Sequence, residues 1–154
     1  MVETGTFMGD TMYALRNDFR VLISIELDPG LHARAQRLLR RYQQLRFVLG
    51  DSSQQLPEVI LGIDEPVVFW LDGHYSGPGT ARGSLDSPIW KEIDAIFAHQ
   101  IRDHVILVDY ARDFIGAGGY HTIQELRDWV AQRRPDWVFE VEHDIIRIHQ
   151  PSSS

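Results

Sequence analysis

Short β-branched runs alternate with amphipathic segments along almost the entire chain, and that alternation restricts the fold more than any other feature. Val2–Thr4 is a brief β-prone start that leads through Gly5–Gly9 into a helical stretch over 10–17. Arg20–Leu27 has strand composition, and Asp28-Pro29 then opens a helix, with Asp as N-cap and Pro at the first helical position. Leu31, Ala35, Leu38, Leu39 and Tyr42 follow helical spacing, and the Arg-rich remainder reads as a solvated face. Arg46–Leu49 is a third strand, followed by a weakly helical stretch over 52–63 that Pro57 is expected to break.

Val67–Leu71 and Val105–Val108 are continuous apolar runs of the kind found in strands covered on both faces. Between them lie a glycine-rich loop over 72–86 and a helix opened by Ser87-Pro88, with Ile89, Ile93, Ile96 and Phe97 on one stripe. A loop over 109–121 leads to Thr122 and Glu125, spaced as a capping box, and to a helix with Ile123, Leu126 and Val130 inside that Pro135 ends. Val138–Val141 and Ile145–Ile148 alternate as strands around a tight turn at His143-Asp144. Together these elements predict an α/β fold: a Rossmann-like, doubly wound, mostly parallel sheet with helices on both faces and a C-terminal antiparallel hairpin.

The chain has 154 residues, 44% of them hydrophobic, which suits a single domain over 1–150 with a disordered tail at 151–154. A net charge of −7 argues against a chain whose main task is gripping nucleic acid or an anionic membrane. The absence of cysteine excludes disulfides, thiolate zinc sites and a cysteine nucleophile. No apolar run approaches the ~18 residues of a membrane span, and the N-terminus does not read as a signal peptide, so a cytoplasmic location is expected.

In a doubly wound sheet the ligand crevice lies beyond the carboxyl ends of the strands, where strand order reverses. That rule selects Thr4–Gly9, Glu26–Asp28, Gly50–Ser53, Asp72–Thr80 and Asp109–Arg112, the places where polar residues and glycines gather. Glu3-Thr4-Gly5-Thr6-Phe7-Met8-Gly9 brings backbone close either to a ligand or simply to a tight strand–helix turn, and it lacks the Gly-x-Gly-x-x-Gly of nicotinamide binders. Glu26 is placed to accept hydrogen bonds from both hydroxyls of a ribose, or stands as an exposed acid beside a helix start. Asp51, before Ser52, is a ligand acceptor or a helix N-cap.

Asp72 follows the Val67–Leu71 strand and His74 lies two residues on, where a carboxylate and an imidazole can deprotonate a hydroxyl or hold a divalent metal, although a lone histidine also serves as a structural hydrogen bonder. Asp109 would neighbour Asp72 if their strands adjoin, and two such carboxylates suit Mg²⁺ or act as acceptors that fix loops. Tyr75, Arg82 and Tyr110 are candidate substrate contacts, with Arg82 otherwise an ordinary exposed loop arginine.

Acidic-x-Gly-x-x-x-Gly at Glu3–Gly9, the acid at Glu26, Gly50-Asp51-Ser52, Leu71-Asp72-Gly73-His74-Tyr75-Ser76 and Val108-Asp109-Tyr110 together resemble the class I S-adenosylmethionine-dependent methyltransferases from Glu3 to His149. The fourth segment looks like a bacterial small-molecule subgroup. The resemblance implies strand order 3-2-1-4-5-7-6 with strand seven antiparallel. It implies S-adenosylmethionine as cofactor, held by Glu3, Gly5, Thr6, Gly9, Glu26, Asp51, Ser52 and Asp72, with Asp51 toward the adenine amino group. Metal-dependent catechol-type O-methyltransferases match Asp72 and Asp109 as Mg²⁺ ligands, but Tyr110 stands where a further ligand is expected.

The reading that follows is methyl transfer to a small-molecule hydroxyl, with His74 as base and Asp72 orienting it. Amino-group methyltransferases carry Asn/Asp-Pro-Pro-Tyr where this chain has Asp72-Gly73-His74-Tyr75. Relatives usually carry helices ahead of the first motif, so the expectation is a core without that segment, which a homodimer would suit. The alternative is a non-catalytic nucleoside-binding or oligomerising domain on the same fold.

Overall fold

The computed structural model describes residues 1–73, 88–117 and 120–151. The expected glycine-rich loop after Asp72, with His74, Tyr75 and Arg82, lies outside the described residues, as does the end of the tail. The elements run β1 (Val2–Thr4), α1 (Asp10–Leu15), β2 (Leu22–Glu26), α2 (Pro29–Leu39), β3 (Leu45–Leu49), α3 (Ser52–Leu61), β4 (Val68–Leu71), α4 (Ile89–Ala98), β5 (Val105–Val108), α5 (Ile123–Arg133), β6 (Val138–Glu142) and β7 (Ile145–His149).

One sheet holds the seven strands in the order β3-β2-β1-β4-β5-β7-β6. The first five strands pair in parallel, while β7 runs antiparallel to both β5 and β6. The order in which strands are laid down reverses between β1 and β4, and because these strands are parallel the carboxyl ends of β1, β2, β4 and β5 open on one rim.

Register sorts the side chains onto two faces. Val2, Phe69 and Ile106 align on one face, as do Thr4, Leu71 and Val108 further along. The apolar members of these rows, with Ile25, join the larger core, to which α3, α4 and α5 contribute Leu56, Ile60, Ile89, Ile93, Ile96, Leu126 and Val130. The opposite face carries Glu3, Ser24, Trp70 and Leu107 in register. A smaller core of Met12, Leu22, Leu39 and Leu45 packs there under α1 and α2. That second face is less covered: Phe69, Leu71, Ile106 and Val108 are buried, whereas Val68, Trp70, Val105 and Leu107 are half-buried. The two apolar runs are therefore not sealed equally on both sides.

The sequence signals at the starts of α2 and α5 hold. The Asp28 side chain accepts from the Leu31 N–H at 2.8 Å with Pro29 beginning α2, and Thr122 and Glu125 close the capping box of α5. The hairpin turns through His143 and Asp144, both with left-handed backbone (φ 51° and 65°), which suits the twist of the flanking strands.

Three expectations change. Pro57 does not break α3, which runs unbroken from Ser52 to Leu61. The proline forfeits one backbone bond, while Leu56 and Ile60 on either side are buried in the larger core. Leu38 is 55% exposed, because the stripe that faces the sheet is set by Ala35 and Leu39. Tyr42 lies beyond the end of α2 and packs against the smaller core from the turn that follows.

Candidate functional site

The β1–α1 turn is built on two left-handed glycines. Gly5 has φ 86°, and a Cβ there would stand 2.5 Å from the carbonyl oxygen of Asp72. Only glycine lets the ends of β1 and β4 approach so closely. Gly9 (φ 82°) is the N-cap residue of α1 and lies against Leu39. Between them Phe7 adopts φ 46°, which non-glycine residues rarely do, and its side chain is 52% exposed.

Glu26 explains that backbone. Its Oε2 accepts from the Phe7 N–H at 2.9 Å and its Oε1 from the Asp28 N–H at 2.8 Å. One buried carboxylate therefore fixes both the β1–α1 turn and the start of α2. A carboxylate offers about four acceptor positions, so two remain for a ligand.

Glu3 is buried deeper, at 2% exposure. It accepts from Ser24 Oγ at 2.5 Å, and Ser24 in turn bonds Thr6 Oγ1 at 2.6 Å. Burial pushes the Glu3 carboxyl up to about 7, against the opposing pull of Ser24 and Thr11. Glu3 and Thr6 thus brace the turn from beneath.

Asp51 caps α3, accepting from the Ser53 N–H at 2.9 Å, so the capping alternative holds for one of its oxygens. Ser52, the first residue of that helix, is buried close to Gly73 and Thr4. The Gly73 N–H donates to Thr4 Oγ1 at 3.2 Å, and the Asp72 N–H to the Thr4 carbonyl at 3.0 Å.

Asp72 and Asp109 do end adjacent strands, and the Asp109 N–H donates to the Leu71 carbonyl at 3.2 Å. Burial first, then the charges of Asp109 and Glu92, raise the Asp72 carboxyl to about 7. Tyr110 follows with left-handed backbone (φ 57°), its N–H on Asp109 Oδ1 at 2.8 Å and the Arg112 guanidinium over its ring. Among the described residues no group of three or more His, Asp or Glu side chains stands close enough to hold a metal ion, so the Mg²⁺ expected at Asp72 and Asp109 gains no support from their surroundings.

The sequence reading missed Glu92. It lies on α4, is 1% exposed, and lines a small cavity with Leu71, Gly73, Val108, Phe114 and Tyr120. Ser52 and Thr4 face its carboxyl, yet neither oxygen has a hydrogen bond of proper geometry. Burial raises it to about 7, with the charge of Asp51 adding to the shift. The available signal was a charge placed inside the stripe Ile89, Ile93, Ile96.

The structure brings Glu3, Glu26, Asp51, Asp72 and Asp109 to one rim, joined by Glu92. Three of them feel the charge of others: Asp72 that of Asp109 and Glu92, Glu3 that of Asp72 and Glu26, and Glu92 that of Asp51. This rim lies beyond the carboxyl ends of the strands at the point where strand order reverses, which is where doubly wound sheets place a ligand crevice.

No protein-family profile matches the sequence, and no curated protein matches it. Solved structures do match. A methyltransferase of Podospora anserina, bound to S-adenosylhomocysteine, superposes with a TM-score of 0.62 at 14% identity, over 98% of this chain and 71% of that one. A Staphylococcus aureus protein assigned as a caffeoyl-CoA O-methyltransferase gives 0.63 at 16%, over 96% and 74%. The N-methyltransferase NodS of Bradyrhizobium japonicum gives 0.61 at 12%, over 98% and 85%. At such identities the likeness is one of fold: the chain has the architecture of the class I S-adenosylmethionine-dependent methyltransferases. No helix among the described residues is long and apolar enough to cross a membrane.

Proposed function

We propose that this chain transfers a methyl group from S-adenosylmethionine to a hydroxyl of a small molecule. The observation that carries the reading is Glu26: a buried carboxylate at the carboxyl end of β2, oriented by two backbone N–H groups and retaining acceptor capacity beside the Gly5–Gly9 turn. Solved structures of the same fold, one of them bound to S-adenosylhomocysteine, support the choice of cofactor.

Bound S-adenosylmethionine supplies a methyl group already activated on a sulfonium. Glu26 would hold the ribose hydroxyls, and Asp51 would take the adenine amino group. Gly5 and Gly9 let backbone approach, while Glu3, Thr6 and Ser52 keep the surrounding turns in place. Asp72 receives or relays the proton that the acceptor hydroxyl loses as it attacks. A carboxyl near 7 is well matched to that task, since catalysis is most effective when the base titrates close to the working pH. His74 remains the imidazole candidate for the same role, with Tyr75, Arg82 and Tyr110 toward the acceptor. If Mg²⁺ is used, Asp72 and Asp109 would hold it, but proton removal by Asp72 does not require it. Much of the acceleration would come from holding donor and acceptor in line.

The test is calorimetry with S-adenosylmethionine and S-adenosylhomocysteine, followed by turnover on a panel of hydroxylated acceptors. Binding of both with methylation of a hydroxyl supports the reading. Binding without turnover would favour the non-catalytic nucleoside-binding alternative, and failure to bind either ligand would overturn both.

A further inference from the structure

The whole-chain charge of −7 conceals a strongly uneven distribution. Residues 29–50 contain five arginines and no acid. On α2, Arg34 and Arg37 are spaced on one helical stripe that Arg41 continues just past the helix end, spanning about 10 Å along the axis. All three are exposed.

This stripe borders α1 along a seam lined by aromatic rings. Arg34 Nη1 reaches Met8 Sδ at 3.1 Å, at the edge of the glycine turn. Further along, the Arg16 guanidinium lies 3.9 Å from the Tyr13 ring centroid and 5.4 Å from that of Tyr42. The Arg41 guanidinium lies 4.8 Å from the Tyr42 centroid and donates to its hydroxyl at 2.6 Å.

Among the described residues Arg16, Arg34, Arg37 and Arg41 make no ion pair with a carboxylate; Arg20, Arg112, Arg133 and Arg147 are the described arginines that do. Four like charges held on one seam without counter-charge repel one another, and stacking on tyrosine pre-organises two of them. Such an arrangement suits a ligand that brings regularly spaced negative charge.

We propose that the α1–α2 seam binds the phosphate backbone of a single-stranded nucleic acid. Guanidinium forks match phosphate oxygens, and the exposed rings of Tyr13 and Phe7 offer bases a surface to stack on. An anionic membrane fits less well, because a helix lying on a bilayer buries its apolar face, and that of α2 (Ala35, Leu39) is already buried against the sheet. The proposal does not depend on methyl transfer.

The experiment is fluorescence anisotropy with labelled twelve-residue oligouridylate and oligodeoxythymidylate, alongside sedimentation with vesicles containing phosphatidylserine. Both oligonucleotides should bind, with affinity falling on a log–log salt plot at a slope of about −2.8 if four phosphates are neutralised. R37E/R41E should weaken binding about tenfold or more and bring the slope to about −1.4. K91E/R102E makes the same change in net charge on exposed positions away from the seam and should bind as the unaltered chain does. Thermal unfolding confirms that each variant is folded. No oligonucleotide binding at 50 mM salt, equal weakening in the two double variants, or binding to vesicles but not to oligonucleotides would each overturn the proposal.

Discussion

The N–H of Phe7 donates to Oε2 of Glu26 at 2.9 Å across 19 residues of sequence, joining the turn after β1 to the end of β2. The bond holds Phe7 at φ 46°, a conformation its side chain disfavours, so Glu26 stabilises the turn as well as facing the crevice. Replacing Glu26 by Ala strands two backbone donors, the other being that of Asp28. The expected cost is about 3–6 kcal/mol, since each of the two bonds to a charged acceptor contributes about 1.5–3 kcal/mol. Glu26→Gln keeps one carbonyl oxygen and should cost about half as much. Denaturant titration reads the stability. Calorimetry reads affinity for S-adenosylhomocysteine, which should fall at least tenfold in either variant if Glu26 holds the ribose. Unchanged affinity in folded Glu26→Gln would remove that role.

Glu92 makes stability depend on pH in a direction opposite to that of a salt-bridged acid. Its folded-state carboxyl titrates near 7, above the usual 4.5, so the folded chain retains a proton that the unfolded chain releases over that interval. The contribution is fully present below about pH 4.5 and is lost as pH rises through about 7. Glu92→Gln removes the burden of a buried charge. It should raise stability by about 3 kcal/mol at pH 8 and leave it nearly unchanged at pH 4. Chemical denaturation at the two pH values tests this, and an equal effect at both would show that the carboxyl is not titrating as described.

Much of this architecture was legible because local chemistry and tertiary packing agree. Asp28-Pro29, Thr122 with Glu125, and the run Val105–Val108 each meet a local need that the fold also has. The rim acids were legible for a related reason: Glu26, Asp72 and Asp109 each follow an apolar strand, and strand ends must converge in a parallel sheet. Glu92 was not, because an acid in an apolar stripe reads as a gap in the stripe until α4 is seen to pack over Thr4 and Ser52. Pro57 misled because its local cost is plain while the burial of Leu56 and Ile60 around it is not. The seam was invisible for want of pairing: Arg16 and Arg41 are 25 residues apart, and only the turn at Tyr42 joins them.

Asp72 gives the proposed transfer a pH signature. A carboxyl held near 7 must ionise before it accepts a proton, so turnover should rise with pH through that value. Burial is the first cause of the shift and the charge of Asp109 the second. Asp109→Asn should therefore move the rising limb to lower pH without abolishing it, and Asp72→Asn should abolish it. A limb that stays in place in Asp109→Asn, measured as kcat/KM from pH 5 to 9, would assign it to another group.

Gly5 and Gly9 have nearly the same backbone angle, φ 86° and 82°, yet their substitutions should differ sharply. Alanine at either position carries the strain of a left-handed side chain, about 1 kcal/mol. At Gly9 the added methyl meets Leu39 Cδ1 at 3.2 Å, the tip of a side chain that can rotate away. At Gly5 it meets the Asp72 carbonyl oxygen at 2.5 Å and the Gly73 Cα at 3.2 Å, both backbone. Relieving that contact means parting the ends of β1 and β4, where the Asp72 N–H holds the Thr4 carbonyl at 3.0 Å, or shifting Gly5 against β2, where its N–H holds the Ile25 carbonyl at 2.9 Å. Losing either bond adds its own cost, so Gly5→Ala should destabilise the chain by about 3 kcal/mol or more. Gly9→Ala should stay near 1 kcal/mol. Equal effects on the denaturation midpoint would mean that β1 and β4 are not held as closely as Gly5 and Asp72 place them.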